Sequence, residues 1–134
     1  MITNEQLTFC MQQLYPGTAN GQDYWIGHPV DANGKQMAPA AIFRWGRADL
    51  RAPAPSEIAS LWAQYESAFH SMKADRAARD RRETMLKEAD MLVERAADAG
   101  LDQMPFRRYR QALRDITAQP GFPFDVEWPE APVT

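Results

Sequence analysis

The chain has 134 residues, of which 45% are hydrophobic, and its formal net charge is −3. This length suits one domain, or a small domain with an arm, and the apolar content permits a core. The negative charge argues against a general affinity for nucleic acid, and no stretch approaches the 18 consecutive apolar residues of a membrane span.

The cysteine content and the N-terminus point to a reducing compartment. Cys10 is the single cysteine, so it cannot form an internal disulfide. The N-terminus lacks a basic region followed by an apolar core, so we expect no signal peptide. Nothing near Cys10 in the sequence would lower its pKa, and we therefore expect a buried apolar residue rather than a reactive thiol.

Residues 3–14 have the pattern of an N-terminal helix. Thr3 and Gln6 stand at capping-box spacing, and Ile2 and Leu7 stand at the positions of a hydrophobic staple. An apolar stripe follows at Leu7, Cys10, Met11 and Leu14. We predict that this stripe is the buried face of the helix.

Two short segments, 24–26 and 41–45, are rich in aromatic and β-branched residues and are predicted to be strands. Between them lies Asn33-Gly34, the usual pair for a two-residue hairpin turn, which would place Tyr24 opposite Phe43. The prolines at 29 and 39 remove ladder donors, so a slip of register or a bulge is the alternative. An isolated hairpin is marginal in water, so it must pack on a helix, a third strand or a partner.

The aromatic residues of the hairpin have two interpretations. Either they cover the hairpin's own core, or some of them form a partner-binding face, because Trp and Tyr dominate interface hot spots. On the second interpretation, the candidate partner-binding residues are Trp25, Phe43 and Trp45.

A long central helix is predicted after a proline-containing linker at 46–55. Residues 56–99 contain no proline or glycine, and apolar stripes at 58–72 and 85–96 flank a polar interval at 73–83. We favour one long helix with a solvated polar middle, and the alternative is a break with a fresh helix capped by Asp90. Gly100 would cap the C-terminal end. The 58–72 stripe is also a candidate homodimer contact.

Arginines crowd the polar interval of the central helix. Acidic residues are interleaved with them, and such mixed charge usually marks a solvated face rather than a nucleic-acid contact. The residues concerned are Arg76, Arg79, Arg81 and Arg82 with Asp75, Asp80 and Glu83.

A C-terminal amphipathic helix is predicted from a 3–4–3 apolar spacing. Its apolar face consists of Phe106, Tyr109, Leu113 and Ile116. Pro105 suits the first helical turn, and Pro120 ends the helix by about Gln119. Arg110 and Arg114 share one face, where they would either hold partner carboxylates or form ordinary surface charge.

After this helix, Pro120-Gly121 suits a type II turn with glycine at a positive φ. Residues 122–128 then alternate between large apolar and other residues, so we predict an extended strip with one apolar face that includes Trp128. The strip either packs back on its own helix, which we favour, or reaches a partner.

No catalytic motif was found among the nucleophile elbow, P-loop, zinc-protease and paired-cysteine patterns. Two histidines and one cysteine cannot build a four-ligand zinc site without carboxylates. We therefore expect no enzyme, no catalytic residue, no metal and no cofactor, which leaves a binding module.

The C-terminal third resembles the signature of tailed-phage tail assembly chaperones, also called tail fibre assembly proteins. The resemblance is carried by the run 109–117, by Pro120 to Pro123 and by Trp128-Pro129. Upstream, Arg82, Leu86 and Asp90 stand where that family tends to have an arginine, a leucine and an Asp-Trp pair, and Met91 departs from the tryptophan. The family also tends to open its long helix with Pro-Thr and a glutamate, and here Ala54 and Glu57 give half of that capping box.

The resemblance implies a small helper protein that binds a phage tail fibre or tail protein in the host cell cytoplasm during assembly. A stable structural subunit, retained on the fibre in the virion, is the alternative. The predicted architecture is α+β and mostly helical, with an N-terminal helix and hairpin region (1–55) and a helical region with an extended aromatic tail (56–134). Tyr109, Arg110, Arg114 and Trp128 join the hairpin aromatics as candidate partner-binding residues. No nucleic-acid or membrane partner is expected.

Overall fold

A computed structural model describes residues 1–133 and confirms a mostly helical α+β architecture. The elements in chain order are α1 (Asn4–Leu14), β1 (Tyr24–Gly27), β2 (Ala41–Trp45), α2 (Ile58–Asp98) and α3 (Met104–Arg114), with single 3-10 turns at Pro55–Glu57 and Asp115–Ala118. The chain forms two compact units, Met1–Phe69 and a second that starts at His70. The predicted regions 1–55 and 56–134 stay a prediction, and Thr134 lies outside the described residues.

Helix α1 begins with the predicted capping box. The Thr3 hydroxyl accepts the Gln6 N–H at 3.2 Å, and the Gln6 side-chain oxygen accepts the Thr3 N–H at 3.0 Å. Leu7 and Met11 are fully buried and pack against Tyr24 of β1, with Ile2 against the same cluster. The staple and the capping box together explain why this helix starts at Asn4 and turns its apolar stripe into the core.

The two strands form an antiparallel sheet, but the predicted register is wrong. Tyr24 pairs with Trp45 rather than with Phe43, and a bulge follows between Trp25 and Ile26. A slip of register or a bulge was the alternative that we based on the prolines at 29 and 39.

The turn between the strands is wider than predicted, but the error in register arises beyond it. Between the Val30–Gln36 bridge and the Gly27–Ala41 pair the second strand has two more residues than the first, and Phe43 is one more at the bulge. The Asp31 carboxylate accepts the N–H groups of Asn33 at 2.8 Å and Lys35 at 2.9 Å, and the Asp31 N–H donates to the Lys35 carbonyl at 2.9 Å. Gly34 has φ of +80°, whereas Asn33 does not have a positive φ, as a two-residue type I′ turn would require. The loop therefore has three residues instead of two, because the Asp31 side chain holds the wider turn.

Helix α2 is preceded by half a capping box, as expected. The Glu57 carboxylate accepts the Ala54 N–H at 3.1 Å, and Ala54 has no side-chain acceptor to return the bond. Arg51 binds the same carboxylate through two nitrogens at 2.7 and 2.8 Å. The arginine thus adds a second set of bonds to the carboxylate at the start of this helix.

Helix α2 then continues without a break to Asp98, so the alternative of a fresh helix at Asp90 is wrong. Its end has the Schellman geometry. Gly100 has φ of +67°, its N–H donates to the Ala97 carbonyl at 3.2 Å, and the Leu101 N–H donates to the Ala96 carbonyl at 2.9 Å.

The predicted face of α3 is the core of the second unit. Phe106, Tyr109, Leu113 and Ile116 are all buried. Tyr109 and Leu113 pack on Ala89, and Phe106 packs on Val93 and Ala96. Small residues on α2 allow the two helices to approach, so the large residues of α3 fill the space between them.

The chain after α3 differs from the prediction. Gly121 does not have a positive φ, so the type II turn is wrong. Glycine is required there for another reason: a Cβ would collide with the carbonyl oxygen of Asp125, whose N–H donates to the Gly121 carbonyl at 2.8 Å. Residues 120–124 are turns, so the predicted extended strip 122–128 is wrong in its first part.

Within residues 1–133 no helix combines the length and the apolarity needed to cross a membrane.

Candidate partner-binding surfaces

In the N-terminal unit, Trp45 is mainly a structural anchor. Its ring stacks on Tyr24 with 5.7 Å between centroids and 17° between planes. Its indole N–H lies 2.7 Å from the Arg47 carbonyl and 3.0 Å from the Leu50 carbonyl, and donates to both. Trp45 thus fixes the chain that follows β2 while part of its ring stays accessible.

Trp25 and Phe43 have different environments. The Arg44 guanidinium lies over the Trp25 ring, 4.4 Å from its centre. The Phe43 side chain is 70% exposed and lies beside Gly27, where an added Cβ would come within 3.1 Å of the ring. Phe43 is therefore the hairpin aromatic with the most surface left for a partner.

An apolar groove of about 690 Å³ runs beside β2. Its lining comprises Ile2, residues 39–45 with Phe43, Arg44 and Trp45, the linker residues Ala52, Pro53 and Pro55, and Ile58, Ala59 and Trp62 of α2. Phe43 and Trp45 are candidate residues from the sequence, whereas the opposite wall was not predicted. Ile58 to Trp62 were instead assigned to a dimer contact, because their helical stripe gives no sign of facing a strand.

The arginines around this groove are not equivalent. Arg47 contacts Asp49 at 2.7 Å and Asp23 at 3.2 Å, and this arginine lowers the pKa of Asp49 to about 2. Arg51 is bound to Glu57, as described above. Arg44 is exposed and, among residues 1–133, has no carboxylate within ion-pair distance. The groove therefore has one arginine whose charge is available to a partner.

In the C-terminal unit, Tyr109 lies in the core and the partly buried Trp128 packs against it. Trp128 packs on the cluster of Ala89, Tyr109 and Leu113. Burial raises the pKa of Tyr109, and nearby Glu88 adds to this effect. Trp128 keeps part of its surface exposed, and a partner-binding role for these two residues stays a prediction.

The C-terminal tail is held against its own unit by further contacts. The Arg81 guanidinium lies 4.3 Å from the centre of the Trp128 ring. The Gln119 side chain makes two hydrogen bonds of 2.8 Å with the backbone N–H and carbonyl of Glu127. The tail therefore packs back on its own unit, which was the favoured expectation.

The two arginines of α3 do not hold one carboxylate together. Arg110 contacts Asp90 through one nitrogen at 3.1 Å. The Arg114 side chain has no ion pair within the described part of the chain, and its carbonyl lies 3.5 Å from a nitrogen of Arg82. Arg114 is thus left as exposed surface charge.

The residues that carry the family resemblance meet each other in this unit. Arg82 reaches the Arg114 carbonyl, Asp90 contacts Arg110, and Leu86 packs against the cluster around Leu113. The motif on α2 and the motif on α3 thus form one packed pair of helix faces. Their spacing is explained by this packing.

The histidine, cysteine and acidic side chains were compared with the requirements of a metal site and of a reactive thiol. Among residues 1–133, no group of three or more histidine, cysteine or acidic side chains is arranged to hold a metal ion. Cys10 is fully buried, and burial raises the pKa of its thiol to about 11.

Comparison with known families gives two matches, one for each unit. Residues 72–133 match the family described as phage tail assembly chaperone protein, and residues 7–70 match the family described as XkdW protein. No curated protein and no solved structure matched the chain.

Proposed function

We propose that the protein is a non-catalytic assembly chaperone for a tail fibre or another tail protein, because residues 72–133 match the phage tail assembly chaperone family. It would bind that protein in the host cytoplasm and cover its apolar surfaces or unpaired strand edges until assembly. Such surfaces aggregate when they are left exposed. The family match over residues 72–133 is the observation that carries this proposal.

The surfaces of the N-terminal unit support a binding role. This unit carries an apolar groove and an exposed phenylalanine, Phe43, beside an arginine without a carboxylate partner. Exposed apolar surface next to specific charge is typical of protein-binding sites. A retained subunit of the fibre has no observation in its favour beyond those that also support a chaperone.

We also retain the homodimer as a proposal, with less surface than the sequence implied. Ile58 and Leu61 pack against the core of the N-terminal unit, and Phe69 contacts Phe9 with 5.5 Å between ring centroids. These members of the stripe are therefore partly occupied within the chain. Light scattering of the purified protein at several concentrations measures whether a dimer forms.

Co-expression with the tail fibre or tail protein encoded beside it tests the function. We expect a complex that survives affinity purification, and we expect finished particles to lack the protein by mass spectrometry. Retention in particles at a fixed ratio would replace the chaperone with the structural subunit. If the tail protein neither binds this chain nor needs it for solubility, the proposed function is wrong.

A further inference from the structure

We propose that the groove beside β2 binds an extended segment of the tail protein as a third strand, with apolar side chains in the groove and a carboxylate on Arg44. This inference rests on the proposed function and names the surface and the chemistry that it uses. Strand addition draws affinity from backbone hydrogen bonds and specificity from pockets for alternate side chains.

The residues that line the groove indicate that it lies along the unpaired edge of β2. Successive side chains of a strand point to opposite faces, so a cavity over one face would contact every second residue. All five residues of β2, Ala41–Trp45, line this groove. Within residues 1–133 the sheet has two strands, so β2 pairs with β1 alone and keeps one unpaired edge. The groove follows that edge.

The opposite wall favours apolar side chains. It is built from Pro53 and Pro55 of the linker and from Ile58 and Trp62 of α2. Proline has no N–H group, so these two linker positions offer no backbone donor that would compete for the incoming strand. A bound segment would therefore hydrogen-bond to β2 on one side and place apolar side chains against this wall on the other.

Charge decides between the possible occupants. Arg44 lies on Trp25 with its guanidinium 4.4 Å from the ring centre, and Arg44 also lines the groove. A second copy of β2 would bring another Arg44 and no acidic residue, because residues 41–45 contain none. Like charges across paired strands are destabilising. The groove is therefore better suited to a tail-protein strand with an acidic residue than to its own copy.

Hydrogen exchange on the wild-type complex tests the site directly. The probe is the tail protein encoded beside this chain, purified as the complex described above. We expect backbone amides in 41–45 to exchange more slowly in the complex than in the free chain. Protection confined to residues 70–133 would overturn this inference and leave the proposed function standing. Absence of any complex would overturn both.

A matched pair of variants tests the groove itself. Ala59 lines the groove, whereas Ala63 is exposed one turn later on α2 and does not. Ala59→Arg and Ala63→Arg have the same composition and net charge. We expect A59R to weaken binding of the tail protein by about tenfold or more and A63R to change it by less than about twofold. Equal effects of the two variants would contradict the inference. If A59R does not fold, the exchange experiment on the wild type decides.

The carboxylate is tested by Arg44→Gln. This variant keeps a long polar side chain beside Trp25 but removes the charge. We expect binding to weaken and to lose part of its salt dependence, since an exposed ion pair is screened by salt. Unchanged affinity and unchanged salt dependence would show that the occupant presents no carboxylate to Arg44.

Discussion

The guanidinium of Arg81 lies over the indole of Trp128, 4.3 Å from the ring centre, and joins the C-terminal tail to α2. The tail is also held by two hydrogen bonds between the Gln119 side chain and the Glu127 backbone. Since Trp128 also packs on the Tyr109 and Leu113 cluster, the tail completes the core of the C-terminal unit.

Replacing Trp128 should loosen the tail. Trp128→Ala removes the apolar contact with Leu113 and the cation–π contact with Arg81, and we expect a loss of about 2 kcal/mol in the free energy of unfolding, less than for a fully buried tryptophan. Urea unfolding followed by far-UV circular dichroism measures this change.

Phe124→Ala is the matched control, because Phe124 is an aromatic residue of the same tail that is 66% exposed. We expect it to cost less than about 0.5 kcal/mol. Equal midpoints for W128A and the wild type would show that the tail does not contribute to the core.

Gly121→Ala should destabilise the protein through a steric collision and not through backbone strain, because Gly121 does not have a positive φ. The added Cβ would meet the carbonyl oxygen of Asp125. Gly21→Ala is the comparison, because Gly21 has φ of +88° but open space around its Cα. We expect a cost of about 1 kcal/mol for G21A, from backbone strain alone, and a larger one for G121A. The reverse order in urea unfolding would contradict this account of the turn.

Some features of the fold could be predicted from the sequence, and others could not. The capping box at Thr3 and the apolar face of α3 depend on neighbours a few residues apart, so the sequence predicts them. Gly121 is required because the backbone at Asp125 approaches it closely, in a turn for which there is no standard sequence signature. The register of the hairpin was missed because residues 37–40 and the bulge at Phe43 lengthen the second strand, and the turn pair Asn33-Gly34 gives no sign of either.

The candidate site was predicted only in part. Phe43 was one of the candidate partner-binding residues, but the wall formed by Ile58 and Trp62 comes from a distant part of the chain and was not predicted. Tyr109 and Trp128 are aromatic types that are common at interfaces, but Tyr109 is buried in the core and Trp128 packs against it. Composition alone does not separate a buried aromatic from a binding one, because both have the same apolar area to cover.

Acid should weaken the start of α2 through Glu57. The two bonds from Arg51 and the bond from the Ala54 N–H lower the pKa of Glu57 from 4.5 to about 2. The folded state therefore favours the carboxylate, and its stabilising contribution is present above about pH 4.5 and is lost as the pH falls toward 2.

Glu57→Gln should remove this part of the acid response. We expect E57Q to melt below the wild type at pH 7 and the difference to shrink as the pH falls through that window. Glu83→Gln, at an exposed position in the polar interval of α2, controls for the loss of one negative charge. Parallel pH profiles for the wild type and E57Q would show that this carboxylate is not linked to folding.

Cys10 should be inert in the native protein. The residue is fully buried and its pKa is raised to about 11, so little thiolate is present near neutral pH. We expect a disulfide reagent to label it at least about 100-fold faster in urea than in native buffer. Rapid native labelling would mean that α1 opens readily or does not bury this face.

The most direct test of the central claim is the soluble fraction of the neighbouring tail protein, expressed with and without this chain. The account predicts that the tail protein is recovered soluble with wild-type chain and aggregates without it, with A63R behaving as wild type. If the tail protein is equally soluble in the absence of this chain, the proposal that this chain is an assembly chaperone that covers its surfaces is contradicted.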